Sequence, residues 1–208
     1  MGKDNFIITI GREFGSGGHA IAKQLANELG VKLYDKELLD LAAKNSGLSA
    51  EILKEYDEKP TNSFLYSLSL GSYTYDSIVS GVHNLPLVDK VFSAQTKIIR
   101  EIAEKESCVI VGRCADSILK GNENLLTVFI HADIDFRAKR VMEYENLTYE
   151  KAIELVKKSD KKRASYHNYF ADNKWGDASS YDLCINSEIG FDNVVHIIKY
   201  CIKEHIHG

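Results

Sequence analysis

The start of the chain constrains its fold more than any other stretch. There a β-branched apolar run meets a turn of glycines and then a helical stripe. Phe6-Ile-Ile-Thr-Ile10 is almost wholly apolar, and it reads as a short strand buried on both faces, as strands of parallel sheets are. Gly11-Arg-Glu-Phe-Gly-Ser-Gly-Gly18 follows it. Ile21, Leu25, Ala26 and Leu29 then recur at helical spacing until Gly30 closes the helix. A strand, a glycine turn and a helix start in this order bring backbone N–H groups and a helix N-terminus to one point, which suits an anion.

The same alternation continues along the chain. Val31-Lys-Leu-Tyr34 reads as a second strand, and residues 36–45 as a helix with a Leu38, Leu39, Leu41, Ala42 stripe. Val88, Val91, Phe92, Gln95, Ile98, Ile99, Ile102 and Ala103 mark an amphipathic helix that feeds a third strand, Cys108-Val-Ile-Val111. Leu125–Ile130 is the fourth strand and Asp182–Ile185 the fifth. A charged helical region runs from about 134 to 170, and a closing helix begins at Asp192. Strands alternating with helices give a parallel sheet of five strands covered on both faces. In such sheets ligands bind beyond the carboxyl ends of the strands, where the glycine turn, Asp35, Arg113, His131 and Asp133 all fall.

Composition narrows the partners. With 26 basic and 30 acidic side chains in 208 residues the formal charge is -4, a poor basis for sequence-independent nucleic-acid binding. A local basic pocket still suffices for a small anionic ligand. No apolar run approaches the roughly 18 residues of a membrane span. The polar start and the four scattered cysteines, without metal-ligand spacing, set the expectation of a cytoplasmic protein with reduced thiols. The His205-Ile-His207 tail reads as an exposed terminus. Oligomeric state is open, the tyrosines between 56 and 75 being candidates for an interface, a helical core or a base-binding site.

Two phosphate-binding templates compete for the glycine turn. The dinucleotide fingerprint G-x-G-x-x-G/A matches Gly15-Ser-Gly17-Gly-His-Ala20, with Asp35 as its acid after the second strand. The phosphate loop G-x-x-x-x-G-K matches less literally. The extra arc Gly11–Phe14 between strand and fingerprint nevertheless suits a loop wrapped around a phosphate chain.

Taken together, Ile8–Gly18, Leu33-Tyr-Asp-Lys-Glu-Leu-Leu39, Val109-Ile-Val-Gly-Arg113, Arg137-Ala-Lys-Arg140, Asp160-Lys-Lys-Arg163 and Tyr181-Asp-Leu183 form a wider pattern. The chain in this respect resembles the cytidylate-kinase-like branch of the P-loop nucleoside monophosphate kinases. The resemblance implies a three-layer α/β P-loop NTPase fold. It places the core at about 1–45, 88–135 and 181–208, a helical acceptor-binding insertion at about 46–87 and a lid at about 136–180. It further implies ATP with Mg2+ as cosubstrate and counter-ion, and nucleotides as partners.

The resemblance also assigns residues. Gly15, Ser16, Gly17, Gly18, His19 and Ala20 would cradle the donor phosphates. Tyr34, Asp35, Arg113 and Asp116 would hold the acceptor. Aligning Gly17 with the last glycine of the loop puts Gly18 at the lysine position, His19 and Ala20 at the metal-binding hydroxyl, and Arg12 at the first glycine. Arg12, Arg137, Arg140 and Arg163 are therefore the candidates for the missing positive charge, because phosphoryl transfer asks mainly for positioning and cations. Lysines 157, 158, 161 and 162 read as a solvated face. Glu13 and Asp133 are the candidate Mg2+ ligands, through water. His19 reads as a capping or packing residue as readily as a base, and Trp175 as hinge packing or a base cover. Three functions remain in view at this point: a kinase of nucleoside monophosphates with CMP or dCMP first, a catalytically silent nucleotide-binding protein, and a nicotinamide-dependent oxidoreductase.

Overall fold

The computed structural model describes residues 5–46 and 87–207. The helical insertion expected at about 46–87, with the tyrosines of 56–75, lies almost entirely outside the described residues. The same holds for the side chains of the His205-Ile-His207 tail.

Strand β1 (Ile7–Arg12) occupies the centre of a five-stranded parallel sheet. Its neighbours are β3 (Cys108–Val111) on one side and β4 (Leu125–His131) on the other; β2 (Lys32–Tyr34) and β5 (Leu183–Asn186) form the edges. The order β2-β3-β1-β4-β5 separates the two templates read from the glycine turn. The dinucleotide fold seats its second strand beside its first, whereas here Ile7 pairs with Cys108 of β3 and with Leu125 of β4. The oxidoreductase reading thereby loses its scaffold.

Alternation along the strands splits the core into two layers. Ile7, Cys108 and Ile110 face α2 (Glu37–Ser46) and α3 (Leu87–Lys105), where they meet Leu38, Ile98 and Ile99. Ile8, Ile10, Val109 and Val111 face α1 (Gly18–Leu29) and the closing helix, where they meet Ile21, Leu25, Val194 and Ile198. Nearly every one of these side chains is fully buried. Each contributes about 1.5–3 kcal/mol by leaving water, which fixes the strand ends that carry the site. No helix among the described residues is long and apolar enough to cross a membrane.

The charged helical region read at about 134–170 consists of two helices. After the short α4 (Ala115–Ile118), α5 (Ile134–Glu145) ends at Asn146 in the left-handed conformation, φ 53°, and α6 (Tyr149–Phe170) restarts at Thr148, whose hydroxyl accepts from the Lys151 N–H. Asn tolerates that conformation and Thr caps a helix start, so the break is local chemistry. The pair has a small core of its own, Ala138, Val141, Ala152 and Val156, into which Phe14 of the glycine loop packs. Phe92 stacks on Phe170 at 4.0 Å and the Tyr166 hydroxyl donates to Gln95, which ties the far end of α6 to α3. The last helix, α7 (Phe191–His207), closes the second layer.

Candidate phosphate-binding site

A cavity of about 460 Å³ opens at the carboxyl ends of the strands. Its floor is the loop from Glu13 to Gly17, which is shaped by two left-handed glycines, Gly15 (φ 82°) and Gly17 (φ 86°). Glycine is required at both. A Cβ on Gly17 would lie 2.1 Å from the Phe191 ring, and one on Gly15 would lie 2.9 Å from the Arg137 carbonyl oxygen. Ser16 is fully buried and donates its hydroxyl to the Glu13 carbonyl, so it braces the loop from inside. The first-turn amides of α1 have no intrahelical acceptor by helix geometry and face this end.

Arg12, Lys36, Arg113, Arg140 and Arg163 line the cavity, against the carboxylates of Glu13 and Asp35. Arg113 is 3% exposed, and its guanidinium lies 3.3 Å from Asp35. Its backbone belongs to a run of three left-handed residues: Gly112 at φ 68°, Arg113 at 59° and Cys114 at 55°. The two non-glycine residues cost roughly 1–2 kcal/mol each. This turn directs the arginine off the end of β3 into the cavity. Asp35 also meets His19 Nδ1 at 3.1 Å, which places His19 as an exposed partner of the acid at the cavity rim.

Three arginines stitch the loop to the helix pair. Arg140 donates to the Gly15 carbonyl from above the Phe191 ring, and Arg163 donates to the Arg12 carbonyl over the Phe14 ring. Arg137 lies behind the loop and outside the cavity lining. Its guanidinium is taken up by Asp160, by Glu13 at 3.3 Å and by the carbonyls of Ala132 and Phe14. Asp160 closes the arrangement by accepting from the Phe14 N–H at 2.7 Å. Burial pushes the Glu13 carboxyl above its ordinary value, against the pull of the Ala132 N–H and Arg137.

The remaining expected site residues fall elsewhere. The Tyr34 hydroxyl donates to Glu106 at the sheet edge, and Tyr34 does not line the cavity. Asp133 caps α5 by accepting from the Asp135 N–H and also lies outside the lining. Trp175 packs edge-on against Phe129 at 5.1 Å and borders a small pocket next to Asp116. Sequence reasoning does not single out Asp160, Lys36, Tyr144 or His167. Asp160 and His167 do carry a signal, standing three residues before and four after Arg163 on α6.

Asp116 sits beside the main cavity, in contact with His167 Nε2 at 2.9 Å and accepting from Asn173. Burial alone would raise its carboxyl; the His167 and Asn173 contacts outweigh it and hold the carboxyl below its ordinary 3.8. A carboxyl lowered by folding adds stability that is present above about pH 4 and lost as pH falls through the folded value. Asp116→Asn is thus expected to cost about 1–3 kcal/mol at pH 7 and less at pH 3, read by denaturant unfolding at the two pH values. Equal losses at both would show that charge plays no part.

The sequence matches the model of the cytidylate kinase-like family over residues 7–189. A cytidylate kinase of Pyrococcus horikoshii is 27% identical over 205 residues, covering 97% of this chain and 91% of the relative. A solved protein of Eubacterium ventriosum superposes with a TM-score of 0.72 at 37% identity, covering 96% of this chain and 99% of that one. Shikimate kinase from Acinetobacter baumannii, solved with shikimate, shares the fold at a TM-score of 0.51 and 13% identity, covering 96% and 94%.

Proposed function

The chain belongs to the cytidylate kinase-like family, and on that premise we propose that it transfers the γ-phosphoryl of ATP to a nucleoside monophosphate, with CMP and dCMP as the first acceptors to test. The observation that carries the reading is the convergence of five cationic side chains on one cavity at the start of α1. The transferring group spreads negative charge over three oxygens, and catalysis consists mostly of holding that charge in place. The loop amides and Arg12 would take the donor phosphates. Arg113, held by Asp35, would take the acceptor phosphate through its fixed fork of donors. Arg140 and Arg163 reach the cavity from the helix pair and would close over the group in transfer. Arg137 holds the loop and is a positioning residue.

Mg2+ fits as a companion of the nucleotide. Among the described residues no group of three or more His, Cys, Asp or Glu side chains could hold a metal ion, and Asp133 is spent on its cap. Glu13 is the carboxylate on the cavity wall beside the loop, and it suits a water-mediated contact to an ion that the phosphates themselves bind. Such an ion would neutralise charge on the β- and γ-oxygens.

The test follows γ-labelled ATP with Mg2+ across a panel of nucleoside monophosphates. Label is expected on a pyrimidine monophosphate. ATP binding without label on any acceptor would overturn the kinase reading in favour of a silent nucleotide-binding protein, the reading that Gly18 at the lysine position supports.

A further inference from the structure

The glycine loop departs from the common pattern at two positions that the fold brings into contact. G-x-x-x-x-G-K carries glycine first and lysine seventh. Counted back from Gly17 as the sixth, this chain has arginine first, at Arg12, and glycine seventh, at Gly18. A Cβ built on Gly18 would lie 2.5 Å from the Arg12 Cβ and 3.0 Å from its Cγ. Carbon atoms settle at about 3.5–4.0 Å, so the approach to Cβ is deeply repulsive and that to Cγ is tight. The atoms in the way belong to the base of the arginine stem. The Cβ is fixed by β1, where Arg12 pairs with Ile130 of β4, and cannot swing aside as a side-chain tip would.

We propose that Arg12 replaces the loop lysine, and that Arg12 and Gly18 are a coupled exchange in which one loop cation has moved from the seventh position to the first. The space beside the helix start admits one cationic stem, from either position. Arg12 lines the main cavity and also the small pocket behind Gly112-Arg113, so its stem runs between the donor end and the acceptor end of the site. Arg137, buried behind the loop among carboxylates and carbonyls, is not placed to act in this way. An arginine also carries a planar fork of donors where lysine offers a point charge, which suits two neighbouring phosphate oxygens. The role of the charge rests on the kinase reading above; the steric exclusion does not.

A double-mutant cycle decides it. Arg12→Gly, Gly18→Lys and the combination are compared with the parent by titration calorimetry with inorganic tripolyphosphate and by thermal unfolding. Arg12→Gly is expected to weaken tripolyphosphate on the order of 10- to 100-fold, the loss of a charge-assisted contact. Gly18→Lys alone is expected to lower both affinity and melting temperature, because two stems are forced into one space. The combination is expected to recover the melting temperature lost by Gly18→Lys, and to bind at least tenfold more tightly than Arg12→Gly. Losses that simply add in the combination, with the parent still binding, would overturn the exchange and leave the kinase reading standing. A Gly18→Lys protein as stable and as tight as the parent would do the same. A parent that binds no tripolyphosphate would overturn both.

Discussion

Replacing Arg113 by alanine is expected to lower phosphoryl transfer about a thousandfold, with a much smaller change in the affinity for ATP. The size follows from burial. The guanidinium is almost wholly withdrawn from water and aimed by its left-handed backbone, so on the proposed reading no reorganisation would precede its contact with an acceptor phosphate. Removing it also strips Asp35 of its main cationic partner at 3.3 Å, a loss of about 1–3 kcal/mol in stability. Arg113→Lys separates the two effects. It keeps a charge near Asp35 but lacks the fork, and is expected to fold as the parent does while still losing about tenfold to a hundredfold in rate. Arg113→Gly makes the complementary case. It is expected to be about 1 kcal/mol more stable than Arg113→Ala, because glycine accepts φ 59° freely, and equally inactive. Steady-state kinetics with acceptor varied, alongside denaturant unfolding, measure all three. A transfer rate within a few-fold of the parent in Arg113→Ala would remove this residue from the acceptor site.

Arg137→Ala is expected to give the largest loss of stability of any single site substitution, about 3–5 kcal/mol. The variant leaves Glu13 and Asp160 without the cation that both contact, and the Asp160 charge already raises the cost of ionising Glu13. It also removes the donor to the Phe14 and Ala132 carbonyls. In a chain of this length each kcal/mol is worth about 2–4 °C, so the melting temperature should fall by roughly 6–20 °C. Arg140→Ala supplies the contrast. Arg140 lines the cavity and holds the loop through a bond to the Gly15 carbonyl, so its loss is expected to act on rate more than on melting. If the two variants melted alike and lost rate alike, the division between a positioning arginine and a phosphate-facing one would fail.

That division marks where the sequence stops being readable. The three central strands were legible because each is a short apolar run rich in β-branched residues, and the loop was legible because only glycine permits its left-handed turns. Arg113 could be placed because it follows such a strand directly. Arg137 and Arg140 appeared equivalent, since three residues apart they share a helical side. Three steps of 3.6-residue helix still leave them about 60° out of line, and that offset puts one behind the loop and the other at its rim. Asp160 is visible only by its helical spacing from Arg163; its contact with the loop is not, because that partner is a backbone N–H 146 residues away. Tyr34 and Asp133 were misleading for a related reason. Both lie near the ends of their strands, but their polar atoms are used locally, on Glu106 and on the first turn of α5.

The central place of β1 bears on how the molecule is made. The strand that carries the glycine loop leaves the ribosome before both of its neighbours, at Cys108 and Leu125, which come roughly 100 residues or more later. At about 5–20 residues per second, synthesis of the intervening chain takes about 5–25 seconds. Through that interval Ile7, Ile8 and Ile10 have no sheet to enter, and the nascent chain exposes an apolar strand with both edges unpaired. The segment that ends in the glycine loop is thus synthesised before its partners and assembled only after them.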